Sequence, residues 1–338
     1  MAAAASLPVA HLGLPDAPEH CLSVDGMGPR GPNLSHWPGN RTPRAWKADL
    51  TTGICLAFAR APAAARQAFL SGAQAVANDH YDTDGFLSML AVLRPDVALA
   101  REAQCLAAAA TGDYRVVTTE QGFATDRIVQ QLMRSAASPI AAELATRRGA
   151  ARELLGYRWL LEHAETVLDE PQALASLWRA DWEHVREQLA RATAGAIVRR
   201  AVAEADLAVL RGPGSADRIV LNTIAGNAFR VLQVIDGDAG PLYRYHDRTE
   251  SWFEVVTFRP PARRDLRPLG DRLQLLEDRA GGAAAGQWCA DPPGEPVPEL
   301  YHGMPAAQQY GEVTRELTPS RLSVEVVEQA VAAHLRRP

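Results

Sequence analysis

The spacing of apolar and polar positions changes three times along the chain. In residues 20–60, short apolar runs alternate with loops rich in Gly and Pro, which predicts strand, loop, strand, loop and helix. In residues 139–206, apolar positions recur at helical spacing, which predicts helices throughout. From Asp206 the spacing becomes two, which is typical of short strands joined by turns.

These changes predict an α/β fold in four parts. We expect an irregular arm (1–19), an α/β domain whose mostly parallel sheet is flanked by helices (20–138), a helical connection (139–206) and a C-terminal antiparallel α+β domain on the substrate side (207–338). The strands predicted for the last part are 207–210, 218–224, 229–235, 242–245 and 252–258.

The stretch 76–93, VANDHYDTDGFLSMLAVL, combines an apolar start, a polar centre and an apolar end. The apolar start is typical of the end of a strand. From Gly85 onward, apolar residues recur at helical spacing, so we predict a helix that begins there. Three polar residues between these elements, His80, Asp82 and Asp84, form the pattern H-x-D-x-D-G.

The spacing of these three residues favours a metal site. Successive side chains of an extended segment point to opposite sides, so His80, Asp82 and Asp84 would share one side and converge at the end of the strand. The free N–H groups at the start of the following helix would point to the same place and favour an anion such as phosphate. The stretch therefore suggests a cation that acts on a phosphoryl or acyl oxygen.

Two other interpretations compete with the metal site. Residues 82–85 could form a turn with an Asx N-cap, with His80 on the surface. A calcium loop of the EF-hand type is excluded, because it requires a Glu six residues after the glycine and Ala91 stands there.

Composition limits the classes of partner. The net charge of −5 and a pI near 6.0 lack the basic footprint of a general nucleic-acid binder. The four cysteines are far apart in the sequence and form no C-x-x-C pair, which favours cytosolic thiols. The chain has no apolar run of 18 residues and no complete signal peptide, so we expect a cytoplasmic protein that does not enter a membrane.

The H-x-D-x-D-G pattern resembles the first motif of the DHH phosphoesterase superfamily, which comprises manganese- or magnesium-dependent hydrolases. Residues 21–25 (CLSVD) and 34–40 (LSHWPGN) resemble its second and third motifs, and residues 48–58 resemble the Ser/Thr-rich start of the next helix. Because these segments precede the first motif instead of following it, the resemblance implies a circular permutation. Ser35 and Trp37 stand where the family has an Asp and a second His. The whole chain also resembles an uncharacterised bacterial family related to these enzymes.

The resemblance implies a set of site residues. It makes Asp25 and His36 metal ligands together with the three residues of the first motif, and it makes Mn²⁺ the expected ion. The catalytic residues expected on this basis are His80, Asp82, Asp84 and His36.

Three arginines are candidates for binding the substrate. Arg41 flanks the turn that follows His36, and Arg263 and Arg264 belong to a cluster of arginines around Pro260. A guanidinium offers paired donors to phosphate or carboxylate oxygens, although each of these residues could equally lie on a solvated surface.

Further acids lie later in the chain. Asp113 and Glu120 could reach the site, whereas Asp126 is predicted to cap a helix over residues 127–134.

Together these observations predict a metal-dependent hydrolase of the phosphoesterase type. Its substrate would be a small anionic molecule bound in a cleft between two domains. Two alternatives remain open: a non-catalytic binding or scaffold protein with a degenerate metal site, and a metal-dependent enzyme of small-molecule metabolism that acts on a non-phosphate bond.

Overall fold

A computed structural model describes residues 7–281, 286–305, 307–309 and 312–336. The chain forms two compact units. Unit 1 comprises Met1–His184 and Phe253–Arg259, and unit 2 comprises Val185–Trp252 and Pro260–Pro338. Each unit has a sheet of its own, and the predicted α/β class is confirmed.

Unit 1 contains a four-stranded parallel sheet in the order β1-β4-β2-β3. Its strands are β1 (Val9–His11), β2 (Leu22–Val24), β3 (Asn33–Leu34) and β4 (Val76–Asn78). The predicted parallel sheet is thus present, but the irregular arm was wrong for residues 9–11. These residues pair with β4, some 67 positions away at Val9↔Val76, and such distant pairing leaves no local pattern. Residues 1–6 of the predicted arm lie outside the described residues.

Unit 1 also contains helices, some of which contact the sheet. They are α1 (Thr51–Arg60), α2 (Ala63–Phe69), α3 (Thr83–Leu93), α4 (Pro95–Ala100), α5 (Glu102–Asp113), α6 (Glu120–Arg134), α7 (Ala141–Ala145), α8 (Gly149–Glu162), α9 (Ala164–Asp169) and α10 (Arg179–Arg191), the last of which continues into unit 2. Helices α1, α3 and α8 contact the sheet. Helix α3 is the centre of the core, because only Leu93 of its residues is not buried. The helix that carries the H-x-D-x-D-G motif is therefore fixed on all sides.

Unit 2 contains a mixed six-stranded sheet in the order β5-β6-β7-β8-β10-β9. Its strands are β5 (Val198–Val202), β6 (Leu207–Gly212), β7 (Arg230–Ile235), β8 (Leu242–Asp247), β9 (Gln287–Ala290) and β10 (Glu299–Gly303). The remaining elements are α11 (Arg218–Ala225), α12 (Arg267–Arg279), the strand pair β11 (Ala307–Gln309) and β12 (Glu312–Thr314), and α13 (Val324–Leu335). The strands predicted at 207–210, 229–235 and 242–245 are confirmed.

Other predictions for this part of the chain were wrong. Residues 218–224 form helix α11, whose buried side chains Ile219, Val220 and Leu221 gave the impression of a strand. Because α11 crosses from β6 to β7, these two strands are parallel and the sheet is not purely antiparallel. Strand β5 interrupts the helices predicted for 139–206; most of its side chains are exposed, so its pattern carries little periodic signal.

Residues 252–258 form no strand, although the segment is rich in aromatic and β-branched residues, which favour strands. Most of this segment belongs to unit 1. There the rings of Phe253 and Phe258 pack against the hydrophobic core, and the backbone pairs with no strand among the described residues. None of the helices among the described residues has the length and apolar character needed to cross a membrane.

Candidate metal centre

Several polar side chains of unit 1 lie together at the edge of its sheet that is formed by the carboxyl ends of the strands. Strands β2 and β4 are parallel neighbours, so their carboxyl ends lie together. Asp25 directly follows β2, and residues 79–82 lead from β4 into α3. Ligands commonly bind at this edge of a parallel sheet, beyond the ends of the strands.

Two groups of side chains that could hold a metal ion meet at this edge and share Asp25. The inner group is Asp25, His36, Asp84 and Asp113, and the outer group is Asp25, His80 and Asp82. In each group, one ligand atom per residue lies within 4.8 Å of the others. The inner side chains are at most 8% exposed, whereas those of His80 and Asp82 are 31% and 26% exposed. The outer group therefore faces solvent and the inner group is buried.

The structure brings together all five ligands named from the sequence, but not in the predicted geometry. The segment after β4 does not stay extended, because Asp82 caps α3 by accepting a hydrogen bond from the Gly85 amide (2.8 Å). The helix thus begins at Thr83, two residues before the predicted start, and Asp84 lies in its first turn. As a result, Asp84 joins the inner group while His80 and Asp82 form the outer one.

The capped turn of the competing interpretation is present, and its N-cap residue is Asp82. His80, which that interpretation placed on the surface, is 31% exposed and lies between Asp79 and Asp82. Capping the helix and joining the outer group are compatible, since Oδ1 of Asp82 accepts from Gly85 while Oδ2 lies 3.1 Å from Nε2 of His80.

The start of helix α1 fixes Asp84. The backbone amides of Thr51 and Thr52 donate to the two carboxylate oxygens at 2.8 and 2.7 Å, and the Thr52 hydroxyl donates at 2.5 Å. These amides have no partner within the helix, and the helix dipole favours negative charge there. The Ser/Thr-rich segment 48–58 thus orients a ligand of the inner group.

His36 is held with one nitrogen directed at the inner group. Its Nδ1 donates to the Asp49 carbonyl (2.8 Å), so Nε2 is the nitrogen free to accept or to bind a cation. Nε2 lies 3.5 Å from Asp25, 3.8 Å from Asp84 and 3.3 Å from Asp113. Burial lowers the pKa of His36, which favours the neutral imidazole that metals require.

His80 lies among three carboxylates. Its Nδ1 is 2.8 Å from Asp79, and its Nε2 is 3.1 Å from Asp82 and 3.5 Å from Asp25. Burial alone would lower the pKa of His80, but the charge of Asp82 and the closeness of all three carboxylates raise it strongly. Burial likewise opposes ionisation of Asp82, but His80 outweighs it and lowers the pKa of Asp82 to about 2.

The shared residue Asp25 is strained and buried. Its backbone is left-handed (φ 47°), a conformation that non-glycine residues adopt at a cost and often at functional sites. Burial, followed by the charges of Asp82 and Asp84, raises its pKa well above the usual value. Burial and the neighbouring aspartates raise the pKa of Asp113 in the same way. Without a cation, these neighbouring carboxylates repel one another when they are ionised.

The residues present fit a divalent cation. Within the described part of the chain, Oδ2 of Asp25 and Nε2 of His36 are buried and take part in no hydrogen bond. Buried polar atoms are rarely left in this state. Four aspartates and two histidines make up the two groups, and such mixed oxygen and nitrogen ligands are typical of divalent first-row metals.

Asp113 had been named only as an acid that could reach the site. It is the last residue of α5, and the packing of that helix against α3 brings it to the inner group. Glu120, named with it, begins α6 and is not in either group.

The predicted cap at Asp126 was wrong. Helix α6 begins six residues earlier, at Glu120, and Thr119 caps it through a hydrogen bond from the Gly122 amide. Asp126 is buried within this helix and accepts a hydrogen bond from the Thr83 hydroxyl (2.7 Å). It supports the start of α3 without joining either metal group.

The three arginines named as substrate anchors lie outside both groups. Arg41 donates to the carbonyls of Gly28 (2.9 Å) and Gly31 (3.4 Å) and so braces the loop before β3. Arg263 and Arg264 belong to unit 2. Arg263 donates to the Ser251 hydroxyl (2.8 Å) and to two carbonyls. That these arginines bind substrate stays a prediction.

Comparison with known proteins gives a family but no function. No curated protein and no solved structure matches the chain. One family model, described as a family of unknown function (DUF6687), matches residues 9–338. The match covers nearly the whole chain, including every residue of both metal groups. The chain therefore belongs to the family of unknown function DUF6687.

Proposed function

We propose that this protein is a hydrolase with a centre of two divalent ions, acting as a phosphoesterase on a small anionic substrate. The observation that carries the proposal is that the inner and outer groups share Asp25. Hydrolases that use two metals hold the ions about 3.5–4 Å apart, and a shared carboxylate can bridge ions at that spacing.

The two groups assign the ligands. Asp25, His36, Asp84 and Asp113 would hold an inner ion, and Asp25, His80 and Asp82 an outer one. Mixed Asp and His ligands suit Mn²⁺, which is our choice of ion. When bound, such ions make water more acidic and polarise a phosphoryl oxygen.

The chain's own residues orient the candidate ligands and determine which side of the site is open to solvent. Thr51 and Thr52 fix Asp84, the Asp49 carbonyl directs Nε2 of His36, and Asp79 holds Nδ1 of His80. Burial of the inner group excludes water from its ligands, whereas the partial exposure of His80 and Asp82 leaves an approach for substrate. We therefore place the substrate on the side of the outer group.

Phosphoester chemistry is favoured by the resemblance to the DHH superfamily. The residues that stand at the ligand positions of its motifs lie together in space, although the second and third motifs come first in the chain. This arrangement supports a permuted relationship. It also supports a hydrolase over other users of two metals.

A non-catalytic metal-binding protein is the alternative, and it too has an observation in its favour. Ser35 is committed to a turn, because its hydroxyl accepts from the Trp37 amide (3.0 Å) and its amide donates to Thr42 (2.8 Å). The ring of Trp37 lies 5.1 Å from that of His80, where the DHH enzymes have a second His. A site that lacks this His could bind metal without turnover.

A titration together with an activity assay tests the proposal. Chelator-treated protein is titrated with Mn²⁺ in a calorimeter, and hydrolysis of bis(p-nitrophenyl) phosphate and of p-nitrophenyl acetate is then followed. We expect two ions per chain and Mn²⁺-dependent cleavage of the phosphodiester. Asp25→Asn should abolish both, since it removes the shared ligand. The matched control is Asp169→Asn, an aspartate of unit 1 that pairs with Arg101 and belongs to neither group, which should keep both.

Each other outcome is informative. No binding heat would contradict the proposal entirely. Tight binding without cleavage of either ester would favour the non-catalytic alternative. Cleavage of the acetate alone would indicate an enzyme that acts on a non-phosphate bond.

A further inference from the structure

Residues 253–257 lie against the inner group, although their chain neighbours on both sides belong to unit 2. Trp252 and Pro260 are assigned to unit 2, while Phe253–Arg259 is assigned to unit 1. The segment has no regular secondary structure. We call residues 253–257 the strap.

The strap contacts His36 directly. The ring of Phe253 stacks on the imidazole, with centroids 3.8 Å apart and planes 20° from parallel. The amide of Glu254 donates to the His36 carbonyl at 2.7 Å. The strap thus covers one face of the ring whose edge bears the candidate ligand atom Nε2.

Glu254 links the strap to the loop after His36, and we call this set of contacts the first latch. Its carboxylate accepts hydrogen bonds from the amide of Gly39 (2.9 Å), the side chain of Asn40 (2.8 Å) and the ammonium of Lys47 (2.7 Å). Lys47 is the single lysine among 35 basic residues. Three donors on one carboxylate make this more specific than an ordinary surface ion pair.

Asp49 forms a second latch, which links the strap to the residues of the inner group. Its carboxylate accepts from the amides of Val256 (2.6 Å) and Thr257 (2.9 Å) and from the Thr257 hydroxyl. Its carbonyl accepts from Nδ1 of His36 (2.8 Å) and from the hydroxyl of Tyr114 (2.5 Å), the residue after Asp113. One residue therefore contacts the strap, a ligand and the neighbour of another ligand.

We propose that the strap positions His36 and closes the inner ion site, with Glu254 and Asp49 as its two latches. The first latch lies near the surface, since the side chains of Glu254 and Lys47 are 40% and 27% exposed. It can open without unfolding of the core, and such local opening gives the inner ion a slow route of exchange. The outer ion would be more open to solvent, because the side chains of His80 and Asp82 are 31% and 26% exposed. This inference rests on the proposed function only in requiring that both groups bind a divalent ion.

The rate of metal release tests the strap. Protein loaded with Mn²⁺ and desalted is mixed with excess EDTA, and bound Mn²⁺ is followed by electron paramagnetic resonance. We expect two phases in the wild type, a fast one from the outer group and a slow one from the inner group. Phe253→Ala and Glu254→Ala should accelerate the slow phase about 10- to 100-fold, the usual cost of losing a residue that orients a metal ligand. The fast phase should not change.

The control is Glu165→Ala, which breaks another surface ion pair of unit 1, that between Glu165 and Arg94 (2.7 Å). It should leave both phases as in the wild type. Circular dichroism and thermal unfolding establish that each variant is folded. If either strap variant does not fold, Lys47→Met decides, because it removes only the cation and leaves the Gly39 and Asn40 contacts; it should accelerate the slow phase by a smaller factor.

Release in a single phase from the wild type, or an unchanged slow phase in the folded strap variants, would overturn the inference while leaving the proposed function intact. Wild-type protein that takes up no Mn²⁺ would instead contradict the proposed function itself.

Discussion

Both units bury carboxylates, but they surround them differently. In unit 2, Glu299 is 1% exposed and contacts the guanidinium groups of Arg218 and Arg244. Glu250, also buried, is paired with Arg248. In unit 1, the buried carboxylates of the inner group lie beside one another and beside the imidazole of His36.

The two regions differ in whether the protein itself supplies the charge that balances its buried carboxylates. Burying an ionised carboxylate is costly unless an opposite charge compensates it. Unit 2 supplies the compensating charge from its own arginines, so its buried pairs need nothing from outside. Within the described residues, Asp25 and Asp84 of the inner group form ion pairs with histidines and with no arginine or lysine, which leaves a place that an external cation fits. Charge balance therefore distinguishes the two regions better than the number of buried acids does.

The largest expected effect tests this comparison directly in chelator-treated protein. Glu299→Gln should lower the free energy of unfolding by about 3 kcal/mol, because it removes the buried negative charge that faces the guanidinium groups of Arg218 and Arg244. Asp113→Asn, an equally small change, should leave that free energy unchanged or raise it, because it relieves repulsion among the aspartates. Urea unfolding of both variants measures the difference. Equal destabilisation by the two substitutions would mean that the negative charge of the inner group is already compensated without a cation.

A smaller effect concerns pH. Burial and the nearby aspartates raise the pKa of Asp113, so the folded carboxyl keeps a proton that the unfolded one loses at about pH 4. The stability due to this group is fully present below that pH and is lost as the pH rises toward the folded pKa. In chelator, wild type should therefore lose stability relative to Asp113→Asn between pH 4 and 8, as measured by urea unfolding at each pH.

Added Mn²⁺ should reverse the trend, because metal ligands bind in their deprotonated form. The stabilisation of the wild type by Mn²⁺ should grow over the same pH range. A difference between wild type and variant that does not change with pH would show that Asp113 titrates normally in the fold.

Periodicity predicted the larger elements and missed those fixed by distant partners. The apolar spacing after Gly85 gave α3, and the strands at 229–235 and 242–245 were found because each is a continuous or alternating run. Strand β1 has only three residues and depends on β4 for its identity. Helix α11 contains Ile219 and Val220, whose branched side chains favour strands, and its packing overrides that preference.

The candidate site shows the same division. The in-phase spacing of His80, Asp82 and Asp84 pointed to the cluster, but the cap at Asp82 divides these residues between two groups, and no spacing rule shows that. Asp113 is brought to the site by the packing of α5, not by a motif. No pattern in the sequence indicated the contact made by Phe253, because it is a stacking contact with His36, 217 positions away, in a segment that was predicted as a strand.

The smallest effect concerns the outer group and its support from α8. The hydroxyl of Tyr157 donates to the His80 carbonyl (2.8 Å) and accepts from the amide of Asp82 (3.2 Å) and the side chain of Asn78 (3.2 Å). Tyr157→Phe removes these hydrogen bonds but keeps the ring, so we expect a loss of about 1 kcal/mol in stability. Because His80 and Asp82 are then less well oriented, Mn²⁺ should bind the outer group about tenfold more weakly in calorimetry.

Tyr81→Phe is the matched control for this last prediction. Its hydroxyl donates to the Val129 carbonyl (3.0 Å), so the variant loses a hydroxyl of the same kind without touching the backbone of the outer ligands. It should cost similar stability but leave both Mn²⁺ affinities unchanged. Equal weakening of the outer ion by both variants would mean that general packing, not the Tyr157 hydroxyl, positions the outer group. If only Tyr157→Phe weakens the outer ion and the slow release phase is preserved, the two groups are supported independently: the inner one by the strap and α1, the outer one by α8.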